Sequence, residues 1–252
     1  MSNFDYFQYT YMSDNYGVLV HSPKTGETTS IDCGDAKATT DALSQKGWQL
    51  THIFATHHHA DHVAGLEELK KKYNCKVIGP AGITGVDDQV ADGSNFSFAG
   101  TDVQTLHTPG HTKDMINYYL PAEKTVFTGD TLFSLGCGRL FEGDAEMMWN
   151  SLGKLMQLPP ETIVYSSHEY TEANAAFAVT VDPHNDDLHK RVEKIKQLRA
   201  VGKATVPSTM AEELATNPFL RAGDANIRTQ LNMTDATDVQ VFAEIRQRKD
   251  NF

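Results

Sequence analysis

The stretch THHHADH, residues 56–62, decides how this chain is read. It follows a short β-type run, HIFAT (52–56), and precedes an amphipathic helix expected over 63–73, with Leu66, Leu69 and Tyr73 on one face and Glu67, Lys70 and Lys71 elsewhere. It therefore lies on a strand-to-helix loop. His57, His59, Asp61 and His62 place four potential metal ligands within six residues. In extended backbone, residues two apart face the same way, so His57 and His59 can grip one ion. Asp61 and His62 are adjacent and must point differently, which suits a second ion beside the first. A plain polar loop has no use for imidazoles this dense, because they repel one another when protonated.

Three further donors occupy the same kind of position. His111 follows the run DVQTLHT (102–108), Asp130 follows TVFTG (125–129), and His168 follows TIVYSS (162–167). Each sits past the carboxyl end of an expected strand, where α/β proteins gather their functional loops. The set is then five His and two Asp, enough for two ions with a shared bridge. A carboxylate bridges through its two oxygens and an imidazole does not, so Asp130 is the better bridge and three donors remain for each ion. Nitrogen and oxygen ligands without cysteine point to an open catalytic site for zinc, iron or manganese, not a closed structural zinc. Two ions about 3.5–4 Å apart lower the pKa of a shared water to about 7. No Gly-x-Ser-x-Gly elbow and no phosphate-cradling glycine loop competes. Asp32, in IDCGD, reads either as a carboxylate orienting a metal-binding histidine or as a strand-end turn. His58 alternates away from its neighbours, and His107 lies inside a strand. HNDDLH (184–189) reads as a helix cap by Asn185 or Asp186.

Outward from these residues, the chain is that of an ordinary globular protein. It has 252 residues, 40% hydrophobic and 22% charged, and a mean hydropathy of −0.42. No apolar run is long enough to span a bilayer, and the opening MSNFDYFQYT lacks the pattern of a secretory signal. The net charge of −11 disfavours general binding to nucleic acid or anionic membrane. Residues 185–252, however, hold eleven Lys and Arg against ten Asp and Glu. That leaves the tail locally basic enough to hold an anion. Cys33, Cys75 and Cys137 are odd in number with no CxxC, so reduced thiols in a cytoplasmic compartment are expected.

β-type runs at 16–22, 27–32, 52–56, 76–80, 102–108, 116–120, 125–129 and 162–167 alternate with turns and helical stretches. A helix over 146–158 is stopped by Pro159-Pro160. Beyond Tyr170 the β-type runs end and helices are expected at 172–179, 187–200 and 238–249. This gives a mixed α and β body over residues 1–171 and a helical part over 172–252.

The HxHxDH pattern at 57–62, His111, the Asp130 of GD and the late His168 resemble the metallo-β-lactamase fold superfamily. Within it the chain is similar to the hydroxyacylglutathione hydrolases (glyoxalase II). That narrower likeness rests on SDNYGVLV (13–20), TGDTLFSLGCGRLFEG (128–143), SSHEYTEAN (166–174), NPFLR (217–221) and the ending RQRKDNF. The resemblance implies an α+β fold: an αββα sandwich over 1–171 followed by a small helical substrate-binding domain. It implies His57, His59 and His111 on one metal, Asp61, His62 and His168 on the other, and Asp130 between them. Asp61 would also accept a proton from the attacking water. The implied reaction is hydrolysis of S-(2-hydroxyacyl)glutathione, chiefly S-D-lactoylglutathione, by a hydroxide bridging two divalent metal ions, zinc first with iron or manganese as alternatives. Glutathione carries two carboxylates, which the resemblance gives to Arg139, Tyr170, Arg246 and Lys249, with Phe141 lining the wall. Arg139 and Phe141 stand where other members carry Lys and Tyr; Arg can still bind a carboxylate, but Phe cannot donate a hydrogen bond. A cytoplasmic monomer with no nucleic-acid or membrane partner is expected. The competing readings are a glutathione persulfide dioxygenase or lactonase of the same fold, and a metal-binding sensor without turnover.

Overall fold

A computed structural model describes residues 2–252, which fold as two compact units. The first comprises the chain up to His107 together with Asp114–Gly129; the second comprises Thr108–Lys113 and Asp130–Phe252.

In the first unit, β1 (Asp5–Tyr11) and β2 (Asn15–His21) make an antiparallel hairpin, and β2 pairs antiparallel with β3 (Thr28–Ile31). The chain then crosses through α1 (Ala36–Lys46) to β4 (His52–Phe54), and through α2 (Ala60–Val63) and α3 (Leu66–Tyr73) to β5 (Lys76–Gly79) and the short β6 (Asp88–Gln89). β3 to β6 run parallel, with helical crossovers joining β3 to β4 and β4 to β5 and a loop joining β5 to β6, and the six strands lie in chain order. A second sheet of this unit is an antiparallel meander of β7 (Asn95–Phe98), β8 (Thr101–His107), β9 (Ile116–Leu120) and β10 (Thr125–Gly129). The two sheets meet through aromatic rings: Phe54 lies 5.1 Å from Phe96, 5.4 Å from Phe98 and 5.2 Å from Tyr118, centroid to centroid. The buried Tyr118 hydroxyl donates across this layer to the carbonyls of Ala55 (2.6 Å) and Ile78 (3.2 Å), and burial pushes its pKa up. On the other face of the first sheet, Leu43 of α1 and Leu66 and Leu69 of α3 pack on Leu19, Ile53 and Val77. Strands covered on both faces need apolar residues throughout, which is why β2, β4 and β5 read as continuous hydrophobic runs.

The second unit opens with a two-stranded ribbon, β11 (Leu132–Phe133) and β12 (Gly136–Cys137). There follow α4 (Ala145–Met156), β13 (Ile163–Ser166), α5 (Thr171–Val181), α6 (Asp186–Ala200), β14 (Ser208–Thr209, antiparallel to β13), α7 (Met210–Thr216), α8 (Ala225–Leu231) and α9 (Asp238–Asp250). β14 is a short strand beyond residue 170, where the sequence reading expects helices alone. Asn185 caps α6 by accepting from the amides of Asp187 and Leu188, as read from HNDDLH. Capping boxes start α7 (Thr209 with Glu212) and α9 (Thr237 with Gln240).

The β11–β12 turn is the knot of this unit. Leu135 sits there at φ +57, a left-handed conformation unfavourable for a branched side chain, and is wholly buried. Side chains from α5, α6, α7 and the residue after α7 hold it. Asn174 Nδ2 donates to Ser134 O (3.1 Å), and Asn217 Nδ2 to Phe133 O (3.2 Å) and Gly136 O (3.0 Å). Glu213 Oε2 accepts from Leu135 N (3.0 Å), and the buried Arg191 pairs with Glu213 while donating to Ser134 Oγ (2.9 Å) and Thr216 Oγ1 (2.7 Å). Removing one partner of a buried ion pair leaves an uncompensated charge, at a cost of about 3–5 kcal/mol. Glu213→Ala is therefore expected to lower unfolding free energy by that amount in urea titrations; an unchanged midpoint would contradict the knot's importance.

Candidate active site

The histidine loop of the first unit leaves β4 in extended form and becomes helical at α2. His59 is the N-cap, and Asp61 and His62 lie inside the first turn instead of on a loop. The helix expected over 63–73 is α3, which starts only at Leu66; α2 ends at Val63, and Ala64 and Gly65 separate the two. The break has a tertiary cause. The segment Asp32–Gly34 packs against α2, with Cys33 N donating to His62 O (2.8 Å) and Gly65 N to Cys33 O (2.8 Å). A Cβ on Gly34 would lie 1.8 Å from the Asp61 carbonyl oxygen, so only glycine allows this approach.

That approach delivers the Asp32 carboxylate to the loop. His62 Nδ1 lies 2.8 Å from Asp32 Oδ2, and an ionised carboxylate only accepts. Nδ1 therefore carries the hydrogen and Nε2 keeps its lone pair. Thr56 Oγ1 donates to Asp32 Oδ2 (2.9 Å) and so accepts from His57 Nδ1 (2.9 Å), which fixes the same tautomer there. The Thr56 amide adds a bond to Asp32 Oδ1 (2.8 Å). His57 Nε2 and His59 Nδ1 stand 3.1 Å apart, the convergence of two nitrogens aimed at one point. Asp61 is held from the β1–β2 hairpin: Asn15 Nδ2 donates to Asp61 Oδ2 (3.0 Å) and the Tyr11 hydroxyl to Asp61 O (2.9 Å). Tyr11 and Asn15 are directly paired across that hairpin. His57 and His62 are fully buried and Asp61 is half-buried. His58 turns away to Asp114 Oδ1 (3.0 Å), as its alternation implies.

The second unit holds the other three donors. Asp130 follows β10, His168 follows β13, and His111 lies on the 108–113 loop; all three are buried. Asp130 faces a different histidine with each oxygen: Oδ2 is 3.2 Å from His111 Nε2 and Oδ1 is 3.4 Å from His168 Nε2. Ser167 Oγ donates to Oδ1 at 2.5 Å. His111 Nδ1 donates to Arg139 O (2.8 Å), so its Nε2 is again the lone-pair nitrogen. A Cβ on Gly138 would be 2.0 Å from Asp130 O, which explains the second glycine of GCGR.

Around these donors lie the residues expected to read glutathione. Tyr170 stacks on His168 (4.7 Å, 4° between planes), and Phe133 meets both rings edge-on. Phe141 is 63% exposed with its ring 5.2 Å from His111. Arg246 is buried at 5%: its guanidinium holds Asp250 Oδ1 (2.9 Å) and Cys137 O (2.9 Å) over the Phe219 ring. Lys249 donates to Ala173 O (3.0 Å) between the rings of Phe177 and Phe252. Arg139 is exposed, its Nε 3.9 Å from Asp250 Oδ1. Burial, then the Arg246 and Arg139 cations, push the Lys249 pKa below the usual lysine value, with Asp250 alone opposing. Three cations around one carboxylate make a place where an added anion is electrostatically welcome.

Seven donors were read from the sequence; Asn15, Tyr11, Thr56 and Ser167 were not. The only sequence signal for them is adjacency, Thr56 and Ser167 each preceding a donor histidine. Imidazole and carboxylate donors with tautomers fixed from behind are the chemistry of divalent metal ligation. Asp32→Asn keeps the shape and the tolerance for φ +57 but removes the charge. It is expected to weaken metal retention about 10–100-fold in chelator competition while the far-UV spectrum stays unchanged; unaltered affinity would remove Asp32 from this role.

Comparison with known proteins agrees with this chemistry. Residues 15–168 match the profile of the metallo-beta-lactamase superfamily, and residues 169–252 match that of the hydroxyacylglutathione hydrolase C-terminus. The chain is 53% identical over 244 residues to the hydroxyacylglutathione hydrolase of Rhizobium meliloti, covering 95% of each chain. It is 54% identical over 249 residues to that of Brucella anthropi, covering 97% of this chain and 96% of the other. Among solved structures, ETHE1 from Myxococcus xanthus superposes with a TM-score of 0.70 at 26% identity, covering 96% of this chain and 90% of that one. TTHA1623, solved in a di-iron-bound form, shares the fold with a TM-score of 0.62 at 24% identity, covering 85% and 100%. The fold is the metallo-β-lactamase fold followed by the hydroxyacylglutathione hydrolase C-terminal domain, and the donors suit two divalent metal ions. The chain thus belongs, as an enzyme, to the hydroxyacylglutathione hydrolase family of the metallo-β-lactamase superfamily.

Proposed function

We propose that the enzyme hydrolyses S-(2-hydroxyacyl)glutathione thioesters, chiefly S-D-lactoylglutathione to glutathione and D-lactate, the hydrolytic step of methylglyoxal detoxification. The observation that carries this reading is Asp130, whose two oxygens face two different imidazole nitrogens as a bridging carboxylate must. Family membership favours hydrolysis over the dioxygenase, lactonase and sensor readings.

In this reading His57, His59 and His111 would hold one ion and Asp61, His62 and His168 the other, with Asp130 shared between them. Zinc is the first choice, with iron and manganese next. Divalent ions bound there would supply Lewis acidity for the carbonyl oxygen and lower the pKa of a bound water to about 7. The chain's own residues do the rest. Asp61, steadied by Asn15, accepts the proton of the attacking water at its carboxylate. The water oxygen forms a bond to the thioester carbon, the C–S bond breaks, and the thiolate leaves. A thiol with a reference pKa near about 8.5 leaves with little help from an acid. Arg139, Arg246 and Lys249 hold the glutathione carboxylates. Tyr170, fixed by its stack on His168, and the exposed ring of Phe141 line the peptide's path. Phe141 contributes apolar area only.

We place a catalytic domain at 1–171 and a substrate-binding domain at 172–252, in a cytoplasmic monomer that acts on a small molecule without nucleic-acid or membrane partners. No helix among the described residues is long and apolar enough to cross a membrane.

His59→Ala and Asp130→Ala are expected to lose metal, measured by elemental analysis, together with thioester hydrolysis. Full activity in either would overturn the proposal. Lys249→Ala is expected to raise KM about tenfold with kcat within about twofold, because remote carboxylate binding is largely uniform binding. An unchanged KM would take the tail out of the substrate site.

A further inference from the structure

Three rings of the second unit, His168, Tyr170 and Phe133, stand together, and only the first two have a part in the proposed reaction. His168 and Tyr170 lie parallel, 4° apart in plane, with centroids separated by 4.7 Å. Phe133 stands perpendicular to both: at 88° and 5.8 Å from His168, and at 84° and 5.3 Å from Tyr170. The three centroids thus form a nearly equilateral triangle, and the Phe133 ring spans the side of the stack. Parallel rings can slide and tilt over one another; a third ring set across both sides blocks either motion. Edge-to-face contact is also the arrangement that the aromatic quadrupole favours.

Burial differs across the cluster. Tyr170 is 38% exposed and Phe133 only 5%. Tyr170 is the N-cap of α5, yet its side chain makes no capping bond, so packing and not capping places its ring. Phe133, by contrast, is fixed from behind. It pairs with Gly136 across the ribbon, and its carbonyl accepts from Asn217 Nδ2 (3.2 Å). The next two residues are tied as well, Ser134 O to Asn174 and Leu135 N to Glu213. Order therefore passes from the helices to the turn, from the turn to Phe133, and from Phe133 to the exposed ring.

We infer that Phe133 is a positioning residue of the glutathione subsite: its ring holds Tyr170 flat against His168, so that the incoming peptide meets an aromatic face already oriented. A contact ordered in advance spares the substrate the cost of ordering it. Phe133 acts through Tyr170 and not on the peptide itself. The inference rests on the reading of Tyr170 as a glutathione contact and deepens it.

The test is a double-mutant cycle on the metal-loaded enzyme, with Phe133→Leu, Tyr170→Leu and the double variant. Phe133→Ile repeats the first change with a second ringless shape, and metal content and far-UV spectra report folding. KM and kcat are measured on S-D-lactoylglutathione and on the lactoyl ester of N-acetylcysteamine, a thiol without the peptide. The dissociation constant of S-methylglutathione is measured by calorimetry. Phe133→Leu is expected to raise KM for the glutathione ester, and the dissociation constant, about threefold to tenfold, the worth of one aromatic pair. Its effect on the N-acetylcysteamine ester is expected to stay within about twofold, and in the Tyr170→Leu background it should vanish. An unchanged KM, an effect that persists in full without the Tyr170 ring, or an equal loss on both esters would overturn the inference. Wild-type enzyme that binds S-methylglutathione but cleaves neither ester would overturn the thioester reading, while the cycle in dissociation constants still decides the role of Phe133. No binding of S-methylglutathione by the wild type would overturn the glutathione subsite and Phe133's role with it.

Discussion

An imidazole ligates a metal through one nitrogen only if its hydrogen sits on the other, and in this chain that hydrogen is assigned by Asp32. One carboxylate takes the Nδ1 hydrogen of His62 directly and, through the Thr56 hydroxyl, fixes that of His57. By the proposed ligand sets these two histidines serve different ions, so a single buried charge sets the donor geometry of both. Much of the first unit follows from the need to bring it there. The short β3 ends just before Asp32, whose backbone lies in the left-handed region, Gly34 lets the segment touch Asp61, and Gly65 separates the helices beside it.

The second unit solves a different problem. In the proposed bridging role Asp130 needs both oxygens oriented, and it has a histidine facing each and Ser167 donating to one. The β11–β12 turn that follows is forced into a strained conformation and held by Glu213, Asn217, Asn174 and Arg191, none of them near it in sequence. That knot places Phe133 against His168 and Tyr170. The helical tail is therefore scaffold for the donors of its own unit as well as a source of cations.

The expected strands are present from β2 to β5, at β8, β9, β10 and β13, because each is a β-branched or aromatic run bounded by turn residues. The donors were legible for the same reason: each follows a readable strand. What escaped depended on distant partners. α1 offers only Ala36, Thr39, Ala42 and Leu43 to the core, too weak a stripe to announce a helix. β1 is half-exposed along most of its length and gives no clear inside face. The break at Gly65 exists because a loop thirty residues upstream packs there. Arg246 is expected from the resemblance to meet a glutathione carboxylate, and its burial over Phe219 against Cys137 is a fact of tertiary packing that the sequence does not announce. Asp32 had two readings in sequence, and only the 2.8 Å approach to His62 chooses between them.

The central claim is a metal-dependent thioesterase that reads glutathione through its basic tail. It is tested most directly by thiol release from S-D-lactoylglutathione, beside the lactoyl ester of a thiol lacking glutathione's carboxylates, before and after chelation and metal return. The account predicts release that chelation abolishes and metal restores, with the glutathione ester strongly preferred. Release that survives chelation, or that treats the two esters alike, would contradict it.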